Sequence, residues 1–120
     1  MEACAIPLPL RGGLYENFVI VDLLKRALNR ASSDRFWFYR DSKGREVDLV
    51  IERDGRLIPV EIKSSATFST DFVSGIRHFR SVYPEVSEPG FVLYNGKSDA
   101  DAVYDDVRIA NPVNQCPFFD

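Results

Sequence analysis

Two cysteines, one histidine, one methionine and one tryptophan among 120 residues leave little material for several kinds of chemistry. Cys4 and Cys116 stand near opposite ends, with no C-x-x-C pair and no Cys/His cluster, so the thiols read as unpaired and a zinc ribbon is excluded. His78 has no acid or thiol at ligand spacing and reads as a helix-surface or partly packed residue. No G-x-S-x-G elbow is present, which removes the support for a serine triad. Apolar runs stop at about five residues, against the ~20 that a bilayer-spanning helix needs. The amino terminus lacks a basic region and is broken by Pro7 and Pro9, so it does not read as a secretory leader. No membrane partner and a cytoplasmic location are the expectations. Low-complexity tracts and internal repeats are also missing, and nine Phe and five Tyr argue against disorder.

What remains is the composition of one folded domain, 45% apolar and 28% charged, with a formal net charge of -3. A chain of this length buries roughly two-thirds of its unfolded surface in one core. The acid excess lies in residues 64–120, chiefly after Pro84, whereas residues 1–63 are close to balanced. Net charge therefore does not decide whether the partner is a polyanion.

Residues 1–13 read as an extended lead-in, prevented from helix by Pro7 and Pro9 and ended by Gly12-Gly13. A helix follows from Leu14 to Arg30, its polar strip formed by Asp22, Lys25, Arg26 and Asn29. Arg35–Arg40 is an aromatic strand. Glu46–Glu52 and Leu57–Lys63 alternate apolar and charged residues at strand period, and Asp54-Gly55 between them is the signature of a type I′ hairpin turn. Ser69, Thr70 and Asp71 supply cap candidates for a helix to Tyr83, with Phe72, Ile76, Phe79 and Tyr83 as its buried stripe. Phe91–Tyr94 is a buried strand, Ala102–Ile109 an optional edge strand, and 111–120 a tail. The expected fold is α/β, with the order α-β-β-β-α-β over residues 14–110.

The hairpin concentrates the chemistry. A two-residue turn closed at Arg53 and Arg56 sets Asp48 opposite Glu61 and Glu46 opposite Lys63. Two carboxylates so opposed repel unless something offsets them, and a divalent cation does so. Mg²⁺ suits such a pair because it takes one or two carboxylates and keeps several waters. Lys63 lies on the same face, two residues after Glu61. Glu16 joins Ile20, Leu23 and Ala27 on an otherwise apolar helical line, an unusual place for an acid. Ordinary roles remain open for each: a solvated hairpin face with ion pairs such as Glu46–Lys63, and a first-turn acid on the helix dipole for Glu16. Gly90–Ser98 has five residues between its glycines rather than the four of a phosphate loop, so no nucleotide site is expected. Trp37 and Tyr39 offer stacking surfaces, although consecutive strand aromatics are more often core.

Asp48, twelve intervening residues, then Glu61-Ile62-Lys63, with Glu16 upstream, resembles the motif set of the PD-(D/E)XK nuclease superfamily; Val47 stands where the named motif has proline. Gly13–Val19, the aromatic strand, Gly44–Asp48 and Val60–Ser65 are similar to the C-terminal domain, of unassigned function, of prokaryotic AAA+-type ATPases. The resemblance covers about residues 12 to 95. It implies a restriction-endonuclease-like core and a site in which Asp48, Glu61 and the Ile62 backbone carbonyl bind Mg²⁺ or Mn²⁺. Lys63 would orient or activate the attacking water, and Glu16 would reach the metal through water. The implied reaction is hydrolysis of a phosphodiester, with DNA or another nucleic acid as partner and an ATPase domain upstream. Arg40, Lys43, Arg45, Arg77 and Arg80 are the candidate phosphate contacts. The alternative is a catalytically inactive module of the same fold that serves the ATPase as a binding or regulatory domain.

Overall fold

A computed structural model describes residues 5–7, 14–29, 33–63, 69–94, 102–104 and 106–110, with the backbone alone at 5–7, 14–16, 27–29, 102 and 104. The chain is a mixed α/β protein. Its elements are β1 (Ala5–Pro7), α1 (Leu14–Asn29), β2 (Arg35–Arg40), β3 (Glu46–Arg53), β4 (Arg56–Lys63), α2 (Ser74–Val82), β5 (Phe91–Tyr94), β6 (Ala102–Tyr104) and β7 (Val107–Ala110). They form one sheet in the order β1-β2-β3-β4-β5-β7-β6. The pairings β1–β2, β2–β3, β3–β4 and β6–β7 are antiparallel, and β4–β5 and β5–β7 are parallel.

The expected α-β-β-β-α-β succession is present, with two additions. Part of the lead-in is strand, because Ala5–Pro7 pairs with Trp37–Tyr39 at a sheet edge, where a proline's missing N–H is tolerated. The single optional edge strand is instead two, β6 and β7, turned at a residue, Asp106, whose φ is 67°. The cysteines, residues 95–98 of the Gly90–Ser98 segment and the 111–120 tail lie outside the described residues.

The sheet is covered on both faces, and strand alternation decides which residue goes where. Leu49, Ile51, Ile58, Val60, Ile62 and Leu93 form one cluster with Val19, Ile20 and Leu23 of α1. On the other face Ile76 packs with Val92, Tyr94 and Ile109, and Phe79 with Tyr39, Val50 and Leu57. Burying each such side chain stabilises the fold by about 1.5–3 kcal/mol. Edge-to-face rings continue this second layer, with Tyr39 and Phe79 centroids 5.0 Å apart. Tyr39 is therefore core, and Trp37, half-buried, donates its indole N–H to Glu52 Oε1 at 2.7 Å.

The turn is as expected: Asp54 and Gly55 have φ of 52° and 77°, the double left-handed signature of type I′. Register follows from it, with Arg53 opposite Arg56, Ile51 opposite Ile58 and Leu49 opposite Val60. Pro59 sits where its absent N–H faces away from β3. Leu57 bonds Val86 and Glu88 on that outer side, and the parallel ladder with β5 starts at Val60, so the gap falls between them.

Candidate active site

The β3–β4 ladder ends at Leu49–Val60, short of the expected 47/62 and 46/63 pairs. The reason is local: the Ile62 N–H donates to Asp48 Oδ2 at 2.9 Å, so a side chain occupies the place of a backbone acceptor. At the same end β3 stays paired with β2, Glu46 opposite Arg40, and the two also form an ion pair at 3.6 Å. The expected Glu46–Lys63 opposition is thereby replaced by Glu46–Arg40 and Lys63–Glu61.

Glu61 is the buried acid of this splayed region, only 5% exposed. The same alternation that buries Ile58, Val60 and Ile62 against α1 turns Glu61 and Lys63 toward α2. Burial pushes the Glu61 carboxyl well above its ordinary range. The Asp48 charge and a hydrogen bond shared with Asp48 push it the same way, and Lys63 partly opposes them. Lys63 Nζ stands 3.4 Å from Glu61 Oε2 and 5.9 Å from the centroid of Phe72. Two carboxylates and one ammonium thus meet at one point, as expected, and the carboxylates outnumber the cation.

Helix α2 closes the site from above through Gly75. A Cβ there would lie 2.8 Å from the Glu46 carbonyl oxygen and 3.0 Å from Glu61 Oε1. Glycine inside a helix costs about 1 kcal/mol relative to alanine, so this close approach is what the residue serves. Gly75→Ala is expected to destabilise the domain by about 1–3 kcal/mol through overpacking. A lower urea midpoint with an unchanged m-value would show it.

Beside Gly75 opens a cleft of about 410 Å³, lined by Arg45, Glu46, Glu61, Lys63, Asp71, Phe72, Ser74 and His78. Of the five proposed phosphate contacts, Arg45 lines it. Arg40 is engaged by Glu46 beside it, while Lys43, Arg77 and Arg80 are not among its lining residues. Glu16 lies in the first turn of α1 and its side chain is outside the described residues. Helix α1 covers the sheet face opposite to the one that carries Glu61. No group of three or more His, Cys, Asp or Glu side chains gathers at metal spacing among the described residues.

His78 is partly packed, within its expected range, but it gains an acid partner that its sequence neighbours do not supply. Its Nε2 stands 3.1 Å from Asp41 Oδ2 and its Nδ1 3.2 Å from Arg45 Nη1. Asp41 accepts the backbone N–H of Lys43 and of Arg45, and its Oδ2 also accepts Arg45 Nε at 3.0 Å. Asp41 and His78 are 37 residues apart, and only the fold brings the β2–β3 turn beneath α2. The turn chemistry of Asp41-Ser42-Lys43-Gly44 was the available signal for Asp41; Gly75 and His78 had none.

A family model described as a domain of unknown function (DUF4143) matches residues 11–116. The chain belongs to the DUF4143 family. No curated protein and no solved structure matches it. No helix among the described residues of this DUF4143 domain is long and apolar enough to cross a membrane.

Proposed function

We propose that this DUF4143 domain is a divalent-metal-dependent phosphodiesterase of the PD-(D/E)XK type, acting on nucleic acid as the C-terminal part of a cytoplasmic AAA+-type ATPase. The observation that carries the reading is Glu61, an acid buried against a second carboxylate, with Lys63 3.4 Å away at the floor of an open cleft. A carboxylate pair in such surroundings needs a proton or a cation, and hard oxygen donors suit Mg²⁺ or Mn²⁺. Asp48 and Glu61 would hold the ion together with the Ile62 carbonyl. That carbonyl points to the same side of β4 as the Ile62 N–H, toward Asp48, because a strand residue's two polar groups share a side. When bound, the ion supplies Lewis-acid stabilisation of a phosphoryl oxygen and a more acidic water. Lys63, 3.4 Å from Glu61 Oε2 and 5.9 Å from the Phe72 ring centroid, would orient the attacking water with its remaining N–H donors. Glu16, on the helix that covers the opposite face of the sheet, is the proposed fourth member on the resemblance alone and would act through water.

The cleft supports metal dependence in a second way. Arg45 and Lys63 are its cations, against Glu46, Glu61 and Asp71, so a phosphodiester meets no net positive wall without the ion. DNA cleavage should therefore require Mg²⁺ or Mn²⁺ and stop with EDTA. Asp48→Ala is expected to reduce cleavage of a labelled DNA substrate by at least about 10²-fold. Undiminished cleavage by that variant, or cleavage in EDTA, would reject the proposed site. The second reading, a binding or regulatory module without catalysis, is favoured by the Ile62 N–H already held by Asp48 Oδ2, which leaves this carboxylate fewer lone pairs for a metal. DNA binding that needs no Mg²⁺ or Mn²⁺, without any cleavage, is its expected signature.

A further inference from the structure

We infer that Arg45 grips a nucleic-acid phosphate at the mouth of the cleft, and that His78, fixed by Asp41, is the positioning residue that aims it. The inference rests on the nucleic-acid reading above and extends it to how the substrate is held. Its basis is hydrogen-bond accounting.

An arginine has five N–H donors and no acceptor. Arg45 Nη1 lies 3.2 Å from His78 Nδ1, so Nδ1 must be the accepting nitrogen and the ring hydrogen must sit on Nε2. Asp41 Oδ2 accepts that hydrogen at 3.1 Å. Each ring nitrogen is thereby committed, and His78 has no free site for proton transfer to a substrate. Asp41 is itself held. Burial raises its pKa, but the N–H groups of Arg45 and Lys43 and the Arg45 charge more than reverse this, keeping it a carboxylate.

The guanidinium is held at two of its three nitrogens, Nε by Asp41 at 3.0 Å and Nη1 by His78 at 3.2 Å, while no acceptor among the described residues meets Nη2. A planar fork held at Nε and Nη1 presents its two Nη2 hydrogens and the second Nη1 hydrogen with little loss of rotamer freedom, and those donors suit the oxygens of a phosphate. Arg45 and His78 line the same cleft as Glu61 and Lys63. The side chains of Asp41 and His78 are 13% and 21% exposed against 47% for Arg45, the gradient expected of a support beneath a contact residue.

The test is binding of a short fluorescein-labelled DNA duplex, read by anisotropy in Ca²⁺ to suppress cleavage, across a series of salt concentrations. Arg45→Ala is expected to weaken binding by about 5- to 20-fold and to lower the slope of log K against log salt by about one. His78→Ala should weaken binding by about 3-fold in the wild-type background and have no further effect in the Arg45→Ala background. That non-additivity identifies action through Arg45, which a general structural role would not produce. Equal effects of His78→Ala in both backgrounds would overturn the positioning role. An unchanged salt slope in Arg45→Ala, with the wild type binding DNA normally, would overturn the phosphate contact while leaving the metal site standing. A wild type that binds metal but no duplex would overturn both this inference and the nucleic-acid reading.

Discussion

Glu61→Gln is expected to change how stability depends on pH more than any other substitution in the domain. The Glu61 carboxyl is held well above its ordinary value of 4.5, first by burial and then by Asp48. Over the interval between the unfolded and folded pKa values the folded state keeps a proton that the unfolded chain has released. Stability therefore falls as pH rises through that interval, by up to about 1.4 kcal/mol per pH unit, and levels off above the folded-state value. Asp41 works in the opposite sense and in a different range, since its lowered pKa costs stability only as pH falls through values below 3.8. Urea unfolding in EDTA between pH 5 and 8 isolates the Glu61 effect. The wild type should lose stability with rising pH relative to Glu61→Gln, whose neutral amide removes the titration. Parallel curves would mean that Glu61 does not carry the buried proton.

Lys63→Ala is expected to lower the rate of DNA cleavage by about 10²- to 10³-fold, the range found when one positioned proton-transfer or electrostatic group is removed. Mg²⁺ binding should survive, because Lys63 stands 3.4 Å from Glu61 Oε2 as a cation and ligates nothing. The two readouts separate the proposed roles, in which the carboxylates would serve the ion and Lys63 the water. Single-turnover cleavage of a labelled duplex, with Mg²⁺ binding measured on the same preparation, decides it. Wild-type rates in Lys63→Ala would assign the observed cleavage to another site or another protein.

The parts of this site that strand periodicity controls were legible in the residues. Asp-Gly at 54 and 55 determines the turn and hence the register as far as Leu49–Val60, and Asp48, just beyond it where the β2–β3 register shifts, meets Glu61 through a side-chain hydrogen bond. The stripe of Ile76 and Phe79, both fully buried, follows equally from helical spacing. The end of the ladder did not follow, because pairing rules assume that Ile62 bonds a backbone carbonyl, and the Asp48 carboxylate takes its place. Nor did the Asp41–Arg45–His78 group, which depends on how α2 crosses the sheet rather than on any local pattern. The aromatic run was ambiguous for the usual reason that stacking and packing use the same residues. Burial resolved it, with Tyr39 inside and Trp37 half-buried.

On the proposed reading a metal would replace the proton at Glu61, and calorimetry reads both halves of that exchange. Mg²⁺ titrated into the wild type at pH values stepped upward from 5, in two buffers of different ionisation enthalpy, should show one site whose heats differ between buffers wherever Glu61 is protonated, because a bound ion would expel that proton. Glu61→Gln and Asp48→Ala should show neither. Absence of Mg²⁺ and Mn²⁺ binding by the wild type would contradict a metal centre at Asp48 and Glu61.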